Sequence, residues 1–276
     1  MKTTVTILAE NTTPAPAFIG EYGFSALIEV DDHKILFDTG SAQALYHNAS
    51  QLGIDLAKVD ALVISHGHFD HTGGVLSYFK QYGSRPLYAH SGIFVNRPLP
   101  LGGNNFKDIG CGFSQDELLG AGAKLYLRDE FSSIFPEVYI SGTIPRNSQF
   151  EDTGGNFKMV INGEKQDDPL LDDSALIIDH PEGLIIVSGC AHAGVINIIE
   201  HARQQTGNSQ VLAFIGGTHL ISASQQRLDQ TIAALDSFSI SKIIVSHCTG
   251  FYAAARLYNA LGQRVIKGET GMRFEF

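Results

Sequence analysis

The sequence predicts an α/β (α+β) protein, an αββα sandwich in which two mixed β-sheets face each other and helices cover their outer sides. Three observations lead to this prediction. Short β-branched runs of strand length recur along the chain, polar turn residues join two neighbouring pairs of runs, and helical periodicity follows several of them. Because the runs fall into two groups, each followed by helices, two covered sheets are the arrangement that buries their apolar faces.

The predicted strands are short apolar runs rich in valine, isoleucine and leucine. Polar turn residues stand between neighbouring runs at 30–34 ("VDDHK") and 179–183 ("DHPEG"), so we expect an antiparallel hairpin at each of these points. The predicted strands are 3–8, 25–30, 34–38, 61–65, 85–90, 175–179, 184–188, 211–216 and 242–247.

Helical periodicity follows four of these strands. In each case apolar residues recur at helical spacing for two turns or more, which favours a helix with one buried face. The predicted helices lie within 74–83, 193–207, 224–238 and 250–262.

The stretch 96–170 has a different character. It is rich in glycine, asparagine and aspartate, as in "LGGNNFKDIGCG" and "FEDTGGNFKMVINGEKQDD", and we predict a loop-rich insertion there. Long loops in a compact domain usually carry function, although a flexible insertion without function would have the same composition. We expect one domain over residues 1–276 that contains this insertion.

Composition narrows the functional class. A net charge of −10, a pI near 5.5 and scattered Lys and Arg residues argue against nucleic-acid binding, which requires clustered positive charge. No apolar run is long enough for a membrane span and no signal peptide is recognisable, so we expect a cytoplasmic protein without a membrane partner. Three cysteines without paired spacing also favour a reducing compartment. A small-molecule substrate is the expected partner, and a homo-oligomer remains open.

The stretch "VISHGHFDHTGG" at 63–74 concentrates metal-binding side chains. His66, His68, Asp70 and His71 fall within six positions, directly after an apolar strand. Imidazole nitrogen and carboxylate oxygen are ligands for zinc, iron and manganese. Gly67 and the following turn allow the four side chains to converge, so we predict a metal site at this strand end.

Further histidines stand at the ends of other strands. His192 follows "LIIVS", His247 follows "KIIV", and His219 follows "VLAFIG" with the same placement. Strand ends that share one edge of a sheet bring such side chains together. We assign the remaining histidines to surface or packing positions: His33, His47, His90, His180 and His201.

The motif "SHGHFDH" is the H-x-H-x-D-H signature of the metallo-β-lactamase superfamily, and the later histidines follow in the family's order, so the chain resembles that superfamily over nearly its whole length. The resemblance implies the metallo-β-lactamase fold and one or two divalent transition metal ions, with zinc favoured and iron or manganese as alternatives. It also implies the ligands. His66, His68 and His192 would hold one ion, Asp70, His71 and His247 would hold a second, and Asp38 in "FDTG" would support the metal-binding turn from behind.

One position departs from the family pattern. Many relatives end a strand in Gly-Asp, with the aspartate bridging two ions, whereas this chain has Gly216-Gly217-Thr218-His219. His219 would then be either a metal ligand or a substrate contact, and Asp172 and Asp173 are weaker candidates for the missing charge. One bound ion is therefore the firmer expectation, and two remain open.

A narrower resemblance extends over five later motifs, "SGTIPRNSQFE", "DDSALII", "SGCAHAGVINII", "IGGTHL" and "SHCTG". Together they are similar to the dihydropterin-ribofuranosyl-aminobenzene 5′-phosphate synthase-like subfamily. This implies a metal-dependent, hydrolase-type enzyme that acts through a metal-activated water on a small, phosphorylated pterin- or aminobenzene-like substrate. An iron-bearing redox protein and a non-catalytic ligand-binding module are the alternatives.

Individual roles follow from this interpretation. Asp70 is the candidate to handle the proton of the water, because it belongs to the ligand set. Arg146 in "TIPR" is the candidate substrate clamp, because a guanidinium can grip a phosphate with two hydrogen bonds, although an ordinary surface arginine would look the same. We interpret Cys190 and Cys248, which flank the later histidines, as small buried residues that fill space.

Overall fold

The computed structural model describes residues 1–102 and 105–276 and has the predicted four-layer order of helices, sheet, sheet and helices. The strands are β1 (Thr3–Ala9), β2 (Ser25–Val30), β3 (His33–Phe37), β4 (Ala61–Val63), β5 (Pro86–Ala89), β6 (Pro98–Gly102), β7 (Asn105–Asp108), β8 (Lys124–Leu127), β9 (Ser132–Phe135), β10 (Val138–Ile140), β11 (Lys158–Ile161), β12 (Glu164–Asp167), β13 (Ala175–His180), β14 (Gly183–Ser188), β15 (Val211–Gly216), β16 (Lys242–Val245), β17 (Val265–Lys267) and β18 (Arg273–Glu275). The helices are α1 (Gln43–Gln51), α2 (Phe69–Thr72), α3 (Val75–Tyr82), α4 (Gln115–Gly120), α5 (Val195–Thr206), α6 (Gln225–Ser237) and α7 (Phe251–Leu261). Within these described residues, no helix is both long and apolar enough to span a bilayer.

Each large sheet is antiparallel on one side and parallel on the other. The first sheet has the order β18-β1-β2-β3-β4-β5-β8 and changes to parallel pairing between β3 and β4. The second has the order β17-β16-β15-β14-β13-β10-β9 and is parallel from β14 to β17. Both predicted hairpins, β2-β3 and β13-β14, are present. The parallel strands matter for function, because their carboxyl ends open at the same edge.

Three apolar layers hold the sandwich together. The inner layer lies between the sheets and includes Val5, Ile28, Val187 and Ile215, all fully buried. An outer layer packs α1, α3 and α4 on the first sheet, and another packs α5, α6 and α7 on the second. Burial on both faces explains why the strands are continuous apolar runs rather than alternating ones.

The stretch 96–170 is more regular than predicted. It contains the short strands β6 to β12 and helix α4, which the sequence analysis did not predict, with loops between them. Strand β8 extends the first sheet, while β9 and β10 extend the second. Gly103 and Asn104, which belong to the predicted loop "LGGNN", lie outside the described residues. That residues 1–276 form a single domain stays a prediction.

Helix α1 was not predicted, and its amino terminus shows why. The residue that precedes the helix, Ala42, has no side chain that can cap it. The Glu21 carboxylate accepts hydrogen bonds from the backbone N–H groups of Ala42, Gln43 and Ala44 instead, at 2.8 to 3.1 Å. The negative charge also suits the positive end of the helix dipole. A cap supplied from far along the chain leaves no local sequence signal.

Candidate metal centre

The turn between β4 and α2 carries the first group of candidate ligands. His66, His68, Asp70 and His71 are all buried there. A side chain at Gly67 would collide with the backbone of Ile93 and the guanidinium of Arg97, so only glycine allows the turn to pack this closely.

Three histidines form the first triad. Ligand nitrogens of His66, His68 and His192 lie within 4.8 Å of one another. The Nε2 of His66 is 2.9 Å from the Nδ1 of His68, and the ring of His192 is 4.9 and 5.0 Å from the rings of His66 and His68. Strand β4 of one sheet and β14 of the other therefore deliver this triad together.

A second triad lies beside it. Asp70, His71 and His247 also present ligand atoms within 4.8 Å of one another. The Oδ2 atom of Asp70 is 3.2 Å from Nε2 of His247 and 3.8 Å from Nε2 of His71. The two triads are those that the family resemblance implied.

Hydrogen bonds behind the rings fix their orientation. Asp38, fully buried and with φ of 55°, accepts from the backbone N–H and the hydroxyl of Ser65, each at 2.7 Å, and so holds the residue that precedes the histidine turn. Contacts of this kind hold a ring nitrogen toward a common centre. The Nδ1 contacts are His66 with Ser65 Oγ (2.9 Å), His71 with Asp38 Oδ2 (2.6 Å), His192 with Thr153 O (2.8 Å) and His247 with Asn11 Oδ1 (2.9 Å).

The triads differ in electrostatics. Burial, reinforced by neighbouring imidazoles, lowers the pKa values of His66, His68 and His192, so these rings are neutral and keep a free lone pair. Burial also acts to lower the pKa of His71, but the carboxylates of Asp38 and Asp70 outweigh it and raise the value to about 9. Burial acts to raise the pKa of Asp70, whereas His71 and His247 lower it below its ordinary value.

Unpartnered nitrogens show that the cluster suits a metal. The Nε2 atoms of His68 and His192 and the Nδ1 atom of His219 are buried, and none has a hydrogen-bond partner among the described residues. A buried polar atom without a partner is costly unless a ligand satisfies it. Imidazole and carboxylate donors of this kind fit a divalent transition metal.

His219 joins the cluster from the end of β15. Its ring centroid is 4.2 Å from that of His192 and 5.8 Å from that of Phe157, and its ligand atom groups with those of Cys190 and His192. Its φ of 47° is unusual for a non-glycine residue and turns the chain after the strand. The position suits either predicted role, metal ligand or substrate contact.

Asp172 and Asp173 do not replace the missing bridging carboxylate. Asp172 accepts from the N–H of Gly67 at 2.8 Å, and Asp173 accepts from the N–H of Ala193 at 2.7 Å. Each carboxylate therefore supports the backbone beside one histidine turn, and neither belongs to a candidate metal group in the described chain.

Arg97 is a supporting residue that sequence analysis missed. Its side chain is 2% exposed, and it donates to Asp168 at 2.7 Å and to Asp172 at 2.6 Å. Through Asp172 it reaches the backbone of Gly67. The motif "VNRPLP" has no feature that would have marked this arginine, because both partners lie far along the chain.

Arg146, the predicted clamp for a substrate anion, directs its hydrogen bonds to the backbone. The guanidinium donates to the carbonyl oxygens of His192, Pro169 and Leu170, with the latter two at 2.8 Å. It does not line the pocket above the metal centre. Arg146 instead holds the backbone that carries His192.

Cys190 and Cys248 lie among the candidate metal ligands. Both are buried, as expected for residues that fill space, but the Sγ atom of Cys190 is also 3.2 Å from Nε2 of His71. Cys248 Sγ donates to the carbonyl oxygen of Cys190 at 3.4 Å. Filling space is therefore an incomplete description of Cys190.

A pocket of about 280 Å³ opens above both triads. Its walls include the aromatic rings of Tyr22, Phe69 and Phe157. Lys107 is the one lysine or arginine among the described lining residues, and its Nζ atom lies 4.9 Å from the Phe69 ring centroid. The pocket thus combines candidate metal ligands, flat apolar walls and one positive charge.

Comparison with known proteins agrees with this architecture. A sequence model of the metallo-beta-lactamase superfamily matches residues 19–189. The chain is 33% identical to a Methanocaldococcus jannaschii protein named 7,8-dihydropterin-6-methyl-4-(β-D-ribofuranosyl)-aminobenzene-5′-phosphate synthase, over 86% of this chain and 83% of that one. The crystal structure of Tm1679, described as a metal-dependent hydrolase of the beta-lactamase superfamily, matches with a TM-score of 0.84 at 25% identity and covers 99% of both chains.

More distant structures share the fold alone. Zn²⁺-bound PqqB from Methylobacterium extorquens is 13% identical with a TM-score of 0.59, and the match covers 99% of this chain and 100% of that one. The sequence match, the two-sheet architecture and the order of the histidine turns lead to one conclusion: the chain belongs to the metallo-beta-lactamase superfamily.

Proposed function

We propose that the protein is a metal-dependent, hydrolase-type enzyme that acts on a small phosphorylated aromatic substrate of the pterin or aminobenzene kind. The observation that carries this proposal is the position of two ligand triads at the floor of a pocket with aromatic walls and one lysine. The printed name of the Methanocaldococcus jannaschii relative, which contains a pterin, an aminobenzene and a phosphate, supports the same substrate class.

The ligand set suits one or two divalent ions, with zinc favoured and iron or manganese as alternatives. An ion bound there would lower the pKa of a coordinated water and polarise a phosphoryl oxygen. Asp38 and Ser65 orient the surrounding imidazoles. The Asp70 carboxylate lines the pocket and is ionised, so its Oδ2 atom is the candidate acceptor for a proton released during the reaction.

Lys107 replaces Arg146 as the candidate contact for a substrate anion. It projects from β7 and lines the pocket, whereas the hydrogen-bond donors of Arg146 are directed to backbone carbonyls. Phe69 and Phe157 offer flat surfaces on which an aromatic ring can pack. A planar substrate with one phosphate matches these two features together.

We also propose a cytoplasmic location and a small-molecule partner, without nucleic-acid binding. The support is the sparse set of free cysteines and the acidic net charge of −10.

Elemental analysis and a substrate panel test the proposed function. We expect about one or two equivalents of transition metal in the purified protein, and loss of both metal and turnover in the His66→Ala/His68→Ala double variant. The panel should contain aryl phosphomonoesters, phosphodiesters and lactones. A protein that binds no metal after metal-replete expression, or that turns over none of these compounds when loaded, would contradict the proposal.

Lys107→Ala tests substrate recognition. A charge-assisted hydrogen bond contributes about 1.5–3 kcal/mol, so KM for the best phosphorylated substrate should rise roughly 10- to 100-fold with metal content unchanged. Lys124→Ala is the matched control, because Lys124 is exposed on β8 and does not line the pocket. Equal kinetics for both variants would remove Lys107 from the binding site.

A further inference from the structure

The centre lacks the carboxylate that bridges two ions in many relatives, and the structure shows what occupies that place. Gly217 stands where a strand ending in Gly-Asp would carry the aspartate. A Cβ atom at Gly217 would press against the Sγ atom of Cys248 and the backbone of Gly189 and Cys190. No side chain fits at position 217, because the two cysteine turns fill the space.

The thiol of Cys190 lies close to both triads. Its Sγ atom lies within 4.8 Å of ligand atoms of His66 and His71 in one candidate group and of His192 and His219 in another. It also groups with His247 and Cys248. One sulfur atom therefore reaches members of the first triad and of the second.

Cys190 and Cys248 differ in what their sulfur atoms contact. The Sγ atom of Cys248 donates to the carbonyl of Cys190 and accepts from the backbone N–H of His219, each at 3.4 Å. The Sγ atom of Cys190 lies 3.2 Å from the imidazole Nε2 of His71, a candidate ligand atom of the second triad. Cys190 is 3% exposed, and it shares a candidate metal group with His192, whose Nε2 atom is buried and has no hydrogen-bond partner among the described residues.

We propose that Cys190 is a thiolate ligand that bridges two metal ions, in place of the aspartate that the chain lacks. The inference rests on the metal site of the proposed function. On metal binding the thiol gives its proton to solvent, and its sulfur forms bonds to both ions while no bond to carbon changes. Thiolate is a good ligand for zinc and iron and a poor one for magnesium or manganese, so this centre should select the softer ions.

Cobalt(II) provides the direct test, because sulfur bonded to cobalt gives a charge-transfer band in the near ultraviolet. The protein is stripped of metal with a chelator and titrated with Co²⁺ while the absorbance and the bound equivalents are recorded. We expect two equivalents and a sulfur band. In Cys190→Ser the band should disappear, and the second equivalent should bind at least about 10- to 100-fold more weakly.

Three further variants test whether the band depends on Cys190 alone. Cys111→Ser is the matched control, since Cys111 is buried but its thiol donates to the Phe113 carbonyl outside the cluster. This variant and Cys248→Ser should keep the band. Cys190→Asp should bind two equivalents without it. Circular dichroism confirms that each variant is folded. The absorption spectrum of the cobalt-loaded parent protein tests by itself whether sulfur is bound to the metal.

The failures are distinguishable. Two bound Co²⁺ ions without a sulfur band in the parent, or a band that survives Cys190→Ser, would overturn the bridging thiolate and leave the metal site intact. A band lost only in Cys248→Ser would assign the ligand to the other cysteine and also overturn the proposal. No bound cobalt in the parent would remove the metal centre itself, and with it the proposed function.

Discussion

Two arginines in the stretch 96–170 support the two sides of the candidate metal centre in different ways. Arg97 pairs with the carboxylates of Asp168 and Asp172 and thereby holds the turn after β4. Among the described residues, Arg146 donates to backbone carbonyls alone and thereby holds the chain around His192. Burial acts to lower both pKa values, but the two carboxylates raise that of Arg97, whereas that of Arg146 stays lowered. An arginine side chain thus neutralises two carboxylates at position 97 and satisfies backbone carbonyl dipoles at position 146.

Arg97→Met should have the largest effect. The substitution leaves two buried carboxylates without a counter-charge, and breaking a buried pair in this way typically costs about 3–5 kcal/mol of unfolding free energy. Urea denaturation of the chelator-treated protein measures the loss. Adding Asp168→Asn to the variant should restore part of it, because one of the stranded charges is removed.

The exposed pair Arg256–Asp229 supplies the control for Arg97. Arg256→Met should leave the urea midpoint unchanged, since surface ion pairs contribute little. Equal effects of Arg97→Met and Arg256→Met would show that the buried network does not stabilise the turn after β4.

Arg146→Met should have a smaller effect. It leaves carbonyl oxygens rather than charges unsatisfied, which costs about 1–3 kcal/mol. Arg146→Lys should recover only part of the loss, because an ammonium cannot reach the separate carbonyls that the planar guanidinium bridges. The same denaturation series gives both values, and a larger loss than in Arg97→Met would reverse the ranking of the two supports.

The smallest expected effect is a change in the pH dependence of stability, which depends on Asp173. This residue is buried near Arg146, but its Oδ1 atom has no partner among the described residues, and burial raises its pKa to about 7 from 3.8. The folded state therefore keeps a proton that the unfolded state has already released, so stability falls as pH rises from about 4 through 7 and then levels off. Between pH 6 and pH 8 the parent should lose about 1 kcal/mol relative to Asp173→Asn.

Parallel urea titrations of parent and variant at several pH values, both without metal, measure this difference. If the difference in unfolding free energy between parent and variant is constant across this pH range, Asp173 is ionised throughout and Arg146 compensates its charge. Arg146 would then neutralise a carboxylate as Arg97 does, and the contrast between the two arginines would be lost.

Much of the centre was predictable because its signals are local. His66, His68, Asp70 and His71 fall within one turn, and His192, His219 and His247 each follow an apolar strand. Arg97 and helix α1 were not predictable, because each depends on a partner far along the chain: Arg97 on Asp168 and Asp172, and helix α1 on Glu21. Arg146 was predicted to bind a substrate anion because of its positive charge. The sequence does not show that its N–H groups would donate to backbone carbonyl oxygens instead.

The first triad draws His66 and His68 from the turn after β4 in one sheet and His192 from the turn after β14 in the other. Contacts between residues so distant along a chain form late in folding, because large loops must close first. A refolding chain should therefore acquire its secondary structure before the proposed site can bind an ion. The rate of metal uptake during refolding would then follow the docking of the two sheets, and a bound ion would mark the end of that process.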